Sequence, residues 1–132
     1  NNLLNVSCDY DKILLLESKF FHQKIENIKE ISNIIQIIIS NEILTILTPN
    51  KKVQFKIGQS STTKFIKNNN DVIVRGYYNI ETISKLKKCK GQSELMKIYA
   101  SNDYPLGIEY DVSSLGNLHI ILNPIQPTSV KK

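Results

Sequence analysis

The sequence predicts an α+β domain built from two successive βαβββ units, with both helices on one face of a mostly antiparallel sheet. Three observations support this: short apolar runs that alternate with polar residues, two stretches with apolar residues three and four apart, and the same element order in both halves of the chain. Alternation is typical of strands with one buried face, and spacings of three and four residues are typical of amphipathic helices. A chain of 132 residues is long enough for one domain with its own core.

The first unit starts with a short apolar strand, Lys12 to Leu16. A helix follows, with Ser18 as its N-cap and an apolar face formed by Phe21, Ile25 and Ile28. This helix is expected to end near Lys29 or Glu30. Two further strands are predicted at 33–40 and at 43–48, and the alternation of Val53, Phe55 and Ile57 predicts a third.

The second unit repeats this order after a predicted loop. Residues 58–70 are polar and end in three asparagines, which is typical of a loop. In the closing hairpin, the alternation of Ile108, Tyr110 and Val112 with Glu109 and Asp111 predicts one buried and one solvent-facing side. The other elements are expected to be a strand at 71–77, a helix at 79–90, a strand at 94–100 and the hairpin itself at 101–125.

The closing hairpin carries a specific pattern, DYPLxIEYDV followed by LGxLxxxLxP, at residues 103–112 and 115–124. This pattern closely resembles the C-terminal end of the eukaryotic and archaeal sliding clamp, the proliferating cell nuclear antigen family, in order and without a gap. Tyr10 to Phe21 and Ser93 to Ala100 fit other parts of the same domain. The resemblance implies the DNA-clamp fold. It divides the chain into the end of an interdomain connector (1–9), the C-terminal domain (10–125) and a flexible tail (126–132).

The same resemblance implies a function. Such a domain forms part of a ring, a homotrimer in the full-length protein, that encircles duplex DNA in the nucleus without reading its sequence. The ring tethers the replicative polymerase and binds the clamp loader and peptides of ligases and nucleases. The absence of an initiating methionine suggests an excised fragment. The alternatives are a checkpoint-clamp subunit, a divergent paralogue, or a peptide-binding module that never encloses DNA.

The predicted second helix is rich in lysine. It contains one acidic residue, Glu81, and four lysines: Lys85, Lys87, Lys88 and Lys90. In a clamp the corresponding helix lines the central hole and contacts phosphates, which requires charge but no base recognition. The alternative is a solvated lysine face stabilised by the helix dipole. The residues expected to face DNA are Lys19, Gln23, Lys85, Lys87 and Lys88.

The resemblance also implies a groove that binds short peptides of partner proteins. It would hold a glutamine and paired aromatic residues of the peptide. Its expected members are Leu3, Leu4, Tyr104, Pro105, Asn123, Pro124 and Ile125. Asn123 stands where the family usually has a small residue, and the family's acidic tail is replaced by a sequence ending in Lys131 and Lys132. On the alternative interpretation, Pro105 and Pro124 only terminate strands.

The strand that begins at Val53 aligns with the edge through which one clamp subunit pairs with its neighbour. An exposed apolar edge requires a partner strand. The expected interface residues are Val53, Phe55, Ile57 and Gln59. The alternative is a solvated edge protected by Lys51, Lys52 and Lys56.

Other classes of function have little support in the sequence. The two histidines, His22 and His119, have no nearby nucleophile in a known motif, and no phosphate-binding glycine loop is present. Cys8 and Cys89 lack metal-ligand or disulfide-framework spacing. We therefore expect no catalysis, no metal, no cofactor and no membrane span. The net charge of +5 is compatible with a polyanionic partner.

Overall fold

A computed structural model describes residues 10–28, 34–49, 51–58, 62–79, 94–111 and 117–125. Within these ranges the chain forms nine strands and one helix. In chain order these are β1 (Lys12–Glu17), α1 (Ser18–Ile28), β2 (Ile34–Ile39), β3 (Ile43–Leu47), β4 (Lys52–Lys56), β5 (Lys64–Asn68), β6 (Val74–Asn79), β7 (Leu95–Ala100), β8 (Leu106–Asp111) and β9 (Asn117–Leu122).

The first unit has the predicted order of strand, helix and three strands. Alternate side chains of β1, β2 and β3 are buried, as period-two patterning requires. The helix begins at Ser18, whose backbone N–H donates to the Glu94 carbonyl over 3.0 Å. This bond joins the start of α1 to the residue that precedes β7.

The predicted loop at 58–70 is wrong in part, because residues 64–68 form the edge strand β5. This strand pairs antiparallel with β1, with Lys12 opposite Asn68, and the half-buried Phe65 packs against the core. An edge strand needs only one apolar contact and one partner strand, so a polar composition does not exclude it. Strand pairing here outweighs the local composition.

The boundaries of the second unit differ from those predicted. Strand β6 is displaced to Val74–Asn79, so that Asn79 ends a strand instead of starting a helix. The rest of the predicted second helix lies outside the described residues, as do Cys8 and Cys89. Of the two predicted helices, the structure therefore describes only α1.

The strands form two antiparallel sheets rather than the single sheet that was predicted. Sheet A has the order β5-β1-β7-β8-β9, and sheet B has the order β4-β3-β2-β6. The first strand of each unit pairs with the second strand of the other unit: β1 with β7 over six residue pairs, and β6 with β2 over six. The internal duplication expected from element order is therefore present in the strand pairing of the described residues.

Strand β8 also departs from the prediction of one buried and one wet face. All residues from Leu106 to Tyr110 are buried, including Glu109, which is 5% exposed. The strand lies inside sheet A between β7 and β9, and the Tyr99 hydroxyl donates a hydrogen bond to the Glu109 carboxylate on its outer face. Alternation predicted the strand correctly but not its environment.

The helix α1 packs over side chains from both sheets. Phe21 is buried with its ring centroid 6.1 Å from that of Phe55 on β4. His22, also buried, has its Nε2 atom 2.8 Å from the hydroxyl of Tyr110 on β8, and the two rings are stacked. Because Phe55 belongs to sheet B and Tyr110 to sheet A, one turn of the helix links the two sheets.

The Lys12 side chain is fully buried in a set of oxygen acceptors. Its ammonium group donates to Asn41 Oδ1 at 3.1 Å, to the Asn69 carbonyl at 3.2 Å and to Asn68 Oδ1. It also lies 5.2 Å from the centre of the Phe65 ring. Burial lowers the pKa of Lys12 from its ordinary 10.5, and the Asp11 carboxylate opposes this shift. Because Asn41 follows β2 and Asn68 ends β5, the ammonium joins sheet B to sheet A.

We predict that Lys12→Met destabilises the protein by about 2–3 kcal/mol, because the hydrogen bonds from the buried ammonium to Asn41, Asn68 and Asn69 would be lost. The measurement is the free energy of unfolding in urea at pH 7. Lys64→Met, at an exposed position on β5, is the matched control and should change stability by less than about 0.5 kcal/mol. A Lys12→Met variant as stable as the wild type would mean that the ammonium's burial cost cancels its bonds.

Candidate partner-binding surfaces

The five described residues of the predicted groove lie where β8 begins and β9 ends. Leu106 and Leu122 are the last paired residues of this hairpin, so Pro105, which precedes Leu106, and Asn123, which follows Leu122, lie on neighbouring segments of chain. Proline lacks an N–H group and cannot extend the ladder. Pro105 and Pro124 therefore lie at the end of the hairpin where the pairing of β8 with β9 stops.

A backbone bond ties this end of the hairpin to the other sheet. The N–H of Ile125 donates to the carbonyl of Tyr77 on β6 at 2.8 Å, forming an isolated antiparallel bridge. The segment after β9 thus crosses from sheet A to sheet B. Its half-buried Pro124 and Ile125 and exposed Asn123 lie at the junction of the sheets.

An aromatic cluster supports the same junction. The Tyr10 hydroxyl donates to the Pro105 carbonyl at 3.2 Å, and its ring contacts both Tyr99 and Tyr104, with centroids 5.7 and 6.0 Å away. Tyr10 is buried, whereas Tyr104 is 41% exposed. An exposed tyrosine held edge-on by a buried one offers a fixed aromatic surface to a partner.

Five of the seven predicted groove residues are thus positioned around one junction of the described fold: Tyr104, Pro105, Asn123, Pro124 and Ile125. Leu3 and Leu4 lie outside the described residues. Sequence reasoning missed the supporting role of Tyr10, Tyr77 and Tyr99. The available signal was the content of six tyrosines in a chain without tryptophan. Peptide binding at this junction stays a prediction.

The Asn102 side chain was also missed by sequence reasoning. Its Oδ1 accepts from the N–H of Arg75 at 2.8 Å, and its Nδ2 donates to the carbonyl of Ile73 at 3.0 Å. One amide side chain thus replaces a neighbouring strand along the outer edge of β6. Its partners come from sequence positions 27 and 29 residues away, which no local pattern reveals.

The predicted subunit-interface strand does lie at the edge of sheet B, but its apolar side chains do not form an exposed patch. Phe55 and Ile57 are 5% and 9% exposed and belong to the core, and the half-buried Val53 packs against that core. The expectation of an exposed apolar edge is therefore wrong, because these residues lie on the face of sheet B that packs under α1. Gln59 lies outside the described residues.

The exposed face of α1 carries the predicted residues Lys19 and Gln23. Both are exposed, while Ser18, Phe21 and His22 are buried, so Phe21 lies on the inner face of the helix as predicted. Phe20 is 48% exposed between them, and the Lys24 ammonium lies 5.3 Å from the centre of its ring. Lys85, Lys87 and Lys88 lie outside the described residues. DNA contact by either helix stays a prediction.

Comparison with known proteins identifies the family of this chain. Residues 6–125 match the family described as "Proliferating cell nuclear antigen, C-terminal domain". The chain belongs to this family. The match includes all nine described strands and the helix α1.

Two viral relatives of this proliferating cell nuclear antigen domain share low sequence identity with it. The chain is 26% identical over 119 residues to a "Probable DNA polymerase sliding clamp" of Acanthamoeba polyphaga mimivirus, covering 89% of this chain and 25% of that protein. It is 24% identical over 123 residues to a "Probable DNA polymerase sliding clamp 1" of Paramecium bursaria Chlorella virus 1, covering 89% and 47% respectively. The chain therefore spans half or less of the length of these relatives.

The described part of the proliferating cell nuclear antigen domain contains no helix long and apolar enough to cross a membrane. Among the same residues, no three histidine, cysteine or carboxylate side chains are grouped so that they could hold a metal ion.

Burial controls the titration of the tyrosines beside the junction. Burial, with a smaller contribution from Tyr10, raises the pKa of Tyr78 to about 12. Burial and the hydrogen bond with Glu109 also raise the pKa of Tyr99, and burial raises that of Tyr10. An unfolded tyrosine ionises near pH 10, so the folded state binds more protons between about pH 10 and 12. The stability from these groups is fully present below pH 10 and is lost as the pH rises through this window.

We predict that Tyr78→Phe reduces the loss of stability between pH 9 and pH 11 by about 1 kcal/mol, because that position no longer ionises in the unfolded chain. The measurement is the urea unfolding free energy at both pH values. The control is Ile66→Ala, an exposed position on β5 with no ionisable group, which should retain the wild-type slope. A wild-type slope in Tyr78→Phe would contradict this linkage.

Proposed function

We propose that this chain is the C-terminal domain of a DNA polymerase sliding clamp. The observation that carries the proposal is the family match over residues 6–125. The pairing of β1 with β7 and of β6 with β2, in which each unit lends its first strand to the other, agrees with it. The names of the two viral relatives support the same function. The family is not enzymatic, and the clamp raises the local concentration of a tethered enzyme without changing a covalent bond.

In this proposal, the domain forms part of a homotrimeric ring in the full-length protein. Lys19 and Gln23 on the exposed face of α1, with Lys85, Lys87 and Lys88, face the phosphates of enclosed duplex DNA. Ammonium groups bind phosphate without reading bases, which permits sliding. The ring acts in the nucleus, serves replication and repair, and is assembled on DNA by a clamp loader. The checkpoint-clamp and paralogue alternatives share this geometry and differ in partners.

The tyrosine-lined junction is proposed to bind peptides of the polymerase, ligase and nuclease partners. Tyr104 supplies an exposed aromatic surface, and Pro105, Pro124 and Ile125 supply half-buried apolar contacts. The bond from Ile125 N–H to Tyr77 holds the two sides of the junction together. This support from the other sheet favours a preformed site, which lowers the entropic cost of binding.

The test of ring function uses the full-length gene product with its clamp loader. We predict a trimer by light scattering and stable retention on closed circular DNA, followed by rapid loss when the circle is cut, because a ring can slide off a free end. Linear DNA of the same sequence is the control. A monomer, or equal retention on circular and linear DNA, would contradict a topological mechanism and favour the free-standing peptide-binding module.

The groove is tested with a short peptide that carries one glutamine and two aromatic residues. We predict that Tyr104→Ala in the full-length protein weakens binding by about tenfold, as expected for loss of an aromatic anchor. Ile66→Ala is the control, since Ile66 is similarly exposed but lies on β5 at the far edge of sheet A. Equal peptide affinity in the Tyr104→Ala variant and the wild type, measured by calorimetry, would exclude Tyr104 from the site.

A further inference from the structure

Sheet B has an outer face that the core does not use. Its inner face, which includes Ile37, Ile46 and Phe55, is buried, and Phe55 packs against Phe21 of α1. The side chains that alternate with these along the strands form the outer face, and each one described there is half-buried or exposed. The outer face therefore stays in contact with solvent on all four strands.

The centre of this face is largely aliphatic. The two inner strands, β2 and β3, place six half-buried side chains on it: Ile34, Gln36, Ile38, Ile43, Thr45 and Leu47. Four of these six are isoleucine or leucine. Neighbouring aliphatic side chains that remain partly in water favour a partner that covers them.

The two edges of the same face are basic. Lys52 and Lys56 on β4 and Arg75 on β6 are exposed and lie on the outer face by register. None of the described side chains on the four strands of this face is acidic, and the carboxylate nearest in sequence is that of Glu42, just before β3. A face with three cations and no anion is complementary to an acidic partner.

One corner of the face is concave. Lys56 lies opposite Ile43 in the pairing of β4 with β3, and with Glu42 and Ile57 they line an open depression of about 420 Å³. A partner side chain placed in this depression contacts Ile43, and the carboxylate of Glu42 disfavours an acidic one at that point. The depression therefore suits an aliphatic side chain.

An aliphatic centre between basic edges favours a protein over a nucleic acid. Nucleic acid is bound by cations and polar donors at the phosphates and by aromatic surfaces at the bases. Tyr77 is the one aromatic side chain described on this face, and it lies on the edge strand β6. Protein interfaces instead combine an apolar centre with a polar or charged rim.

The width of the sheet sets the length of the partner segment. Strands β4 and β6 are separated by β3 and β2, so they lie about 14 Å apart. An extended chain covers this distance between residues four positions apart, and the residue midway between them faces the same side. A segment that crosses the sheet can therefore present two charged side chains at the edges and one side chain at the centre.

We propose that the outer face of sheet B binds an extended acidic segment of a partner protein, with two carboxylates four residues apart and an aliphatic side chain midway between them. The carboxylates pair with Lys56 and Arg75 at opposite edges, and the aliphatic side chain covers Ile38 and Ile43. This site goes beyond the proposed clamp function. It is separate from the tyrosine-lined junction, which it borders at Tyr77.

The test is an NMR titration of the full-length protein, labelled at its isoleucine methyl groups, with the peptide SESLSES. We expect the methyl signals of Ile38 and Ile43 to shift and saturate, while that of Ile66 on β5 stays unchanged. Lys56→Glu/Arg75→Glu should raise the Kd of the peptide about tenfold, because two attractive pairs become repulsive. An unchanged Kd in this variant, or no shift in the wild type, overturns the inference.

Two controls separate the arrangement of the face from net charge. Lys64→Glu/Lys67→Glu makes the same change in charge at exposed positions of sheet A and should retain the wild-type Kd. The peptide SEESSLS has the same composition as SESLSES but adjacent glutamates, and it should bind at least about threefold more weakly. Equal binding of the two peptides, or equal weakening in both variants, overturns the inference. Urea unfolding midpoints verify that each variant is folded.

Three further measurements separate this site from the other proposals. A thymidine oligonucleotide that shifts the Ile38 signal when SESLSES does not overturns the inference in favour of nucleic acid. Displacement of SESLSES by the peptide with one glutamine and two aromatic residues also overturns it, because the face would then belong to the junction. Light scattering of the same samples reports the ring: a monomer that shows the expected shifts refutes the ring and supports the docking face.

Discussion

The exchange of first strands between the two halves is the constraint on which the rest of the fold depends. Strand β1 precedes α1 in sequence but is bonded to β7, and β6 is bonded to β2. Neither half can therefore complete its own sheet without the other. The pairing of Lys12 with Ala100 brings together residues 88 positions apart. Contacts of such long range make folding slow and cooperative, and they explain why the duplicated units form one domain.

The contacts between the two sheets use polar groups as well as apolar packing. Isoleucine and leucine side chains fill the core between the sheets, but at the margins the sheets are joined by the Lys12 ammonium and the Ile125–Tyr77 bridge. Each fixes a particular relative position because hydrogen bonds are directional, whereas apolar packing tolerates small displacements. The tyrosine junction is therefore held by the same interactions that set the geometry of the sheets.

Much of the fold could be predicted from local patterns. Strands β1 to β4 and the phase of α1 followed from period-two and helical spacing, since burial of one face is a local property. β5 could not be found in this way, because its polar sequence becomes a strand only through its bonds to β1. The division into two sheets, the burial of Lys12 and the cover provided by Asn102 also depend on distant residues. Of the candidate surfaces, the groove residues Tyr104, Pro105, Asn123 and Pro124 were predicted from the family resemblance of the hairpin, and their role in binding stays a prediction.

The β4 edge shows where such reasoning reaches its limit. The alternation of Val53, Phe55 and Ile57 predicted a strand with an apolar face, and the expectation that this apolar edge is exposed came from the alignment with the family's subunit contact. In the structure the apolar face is turned inward, and the surface presents lysines. Alternation thus indicates the buried face of β4, whereas its place at the edge of sheet B depends on tertiary structure.

The closed edge at β6 also determines how copies of this domain can be arranged. A sheet with two open edges can add strands in both directions, whereas sheet B can grow only from β4. A contact through that strand with a different surface is heterologous, and repeated heterologous contacts either close into a ring or continue as a filament. Because Asn102 covers β6, the two edges of sheet B are not equivalent. For copies joined through β4, the angle between neighbouring copies would decide between a closed ring and a filament.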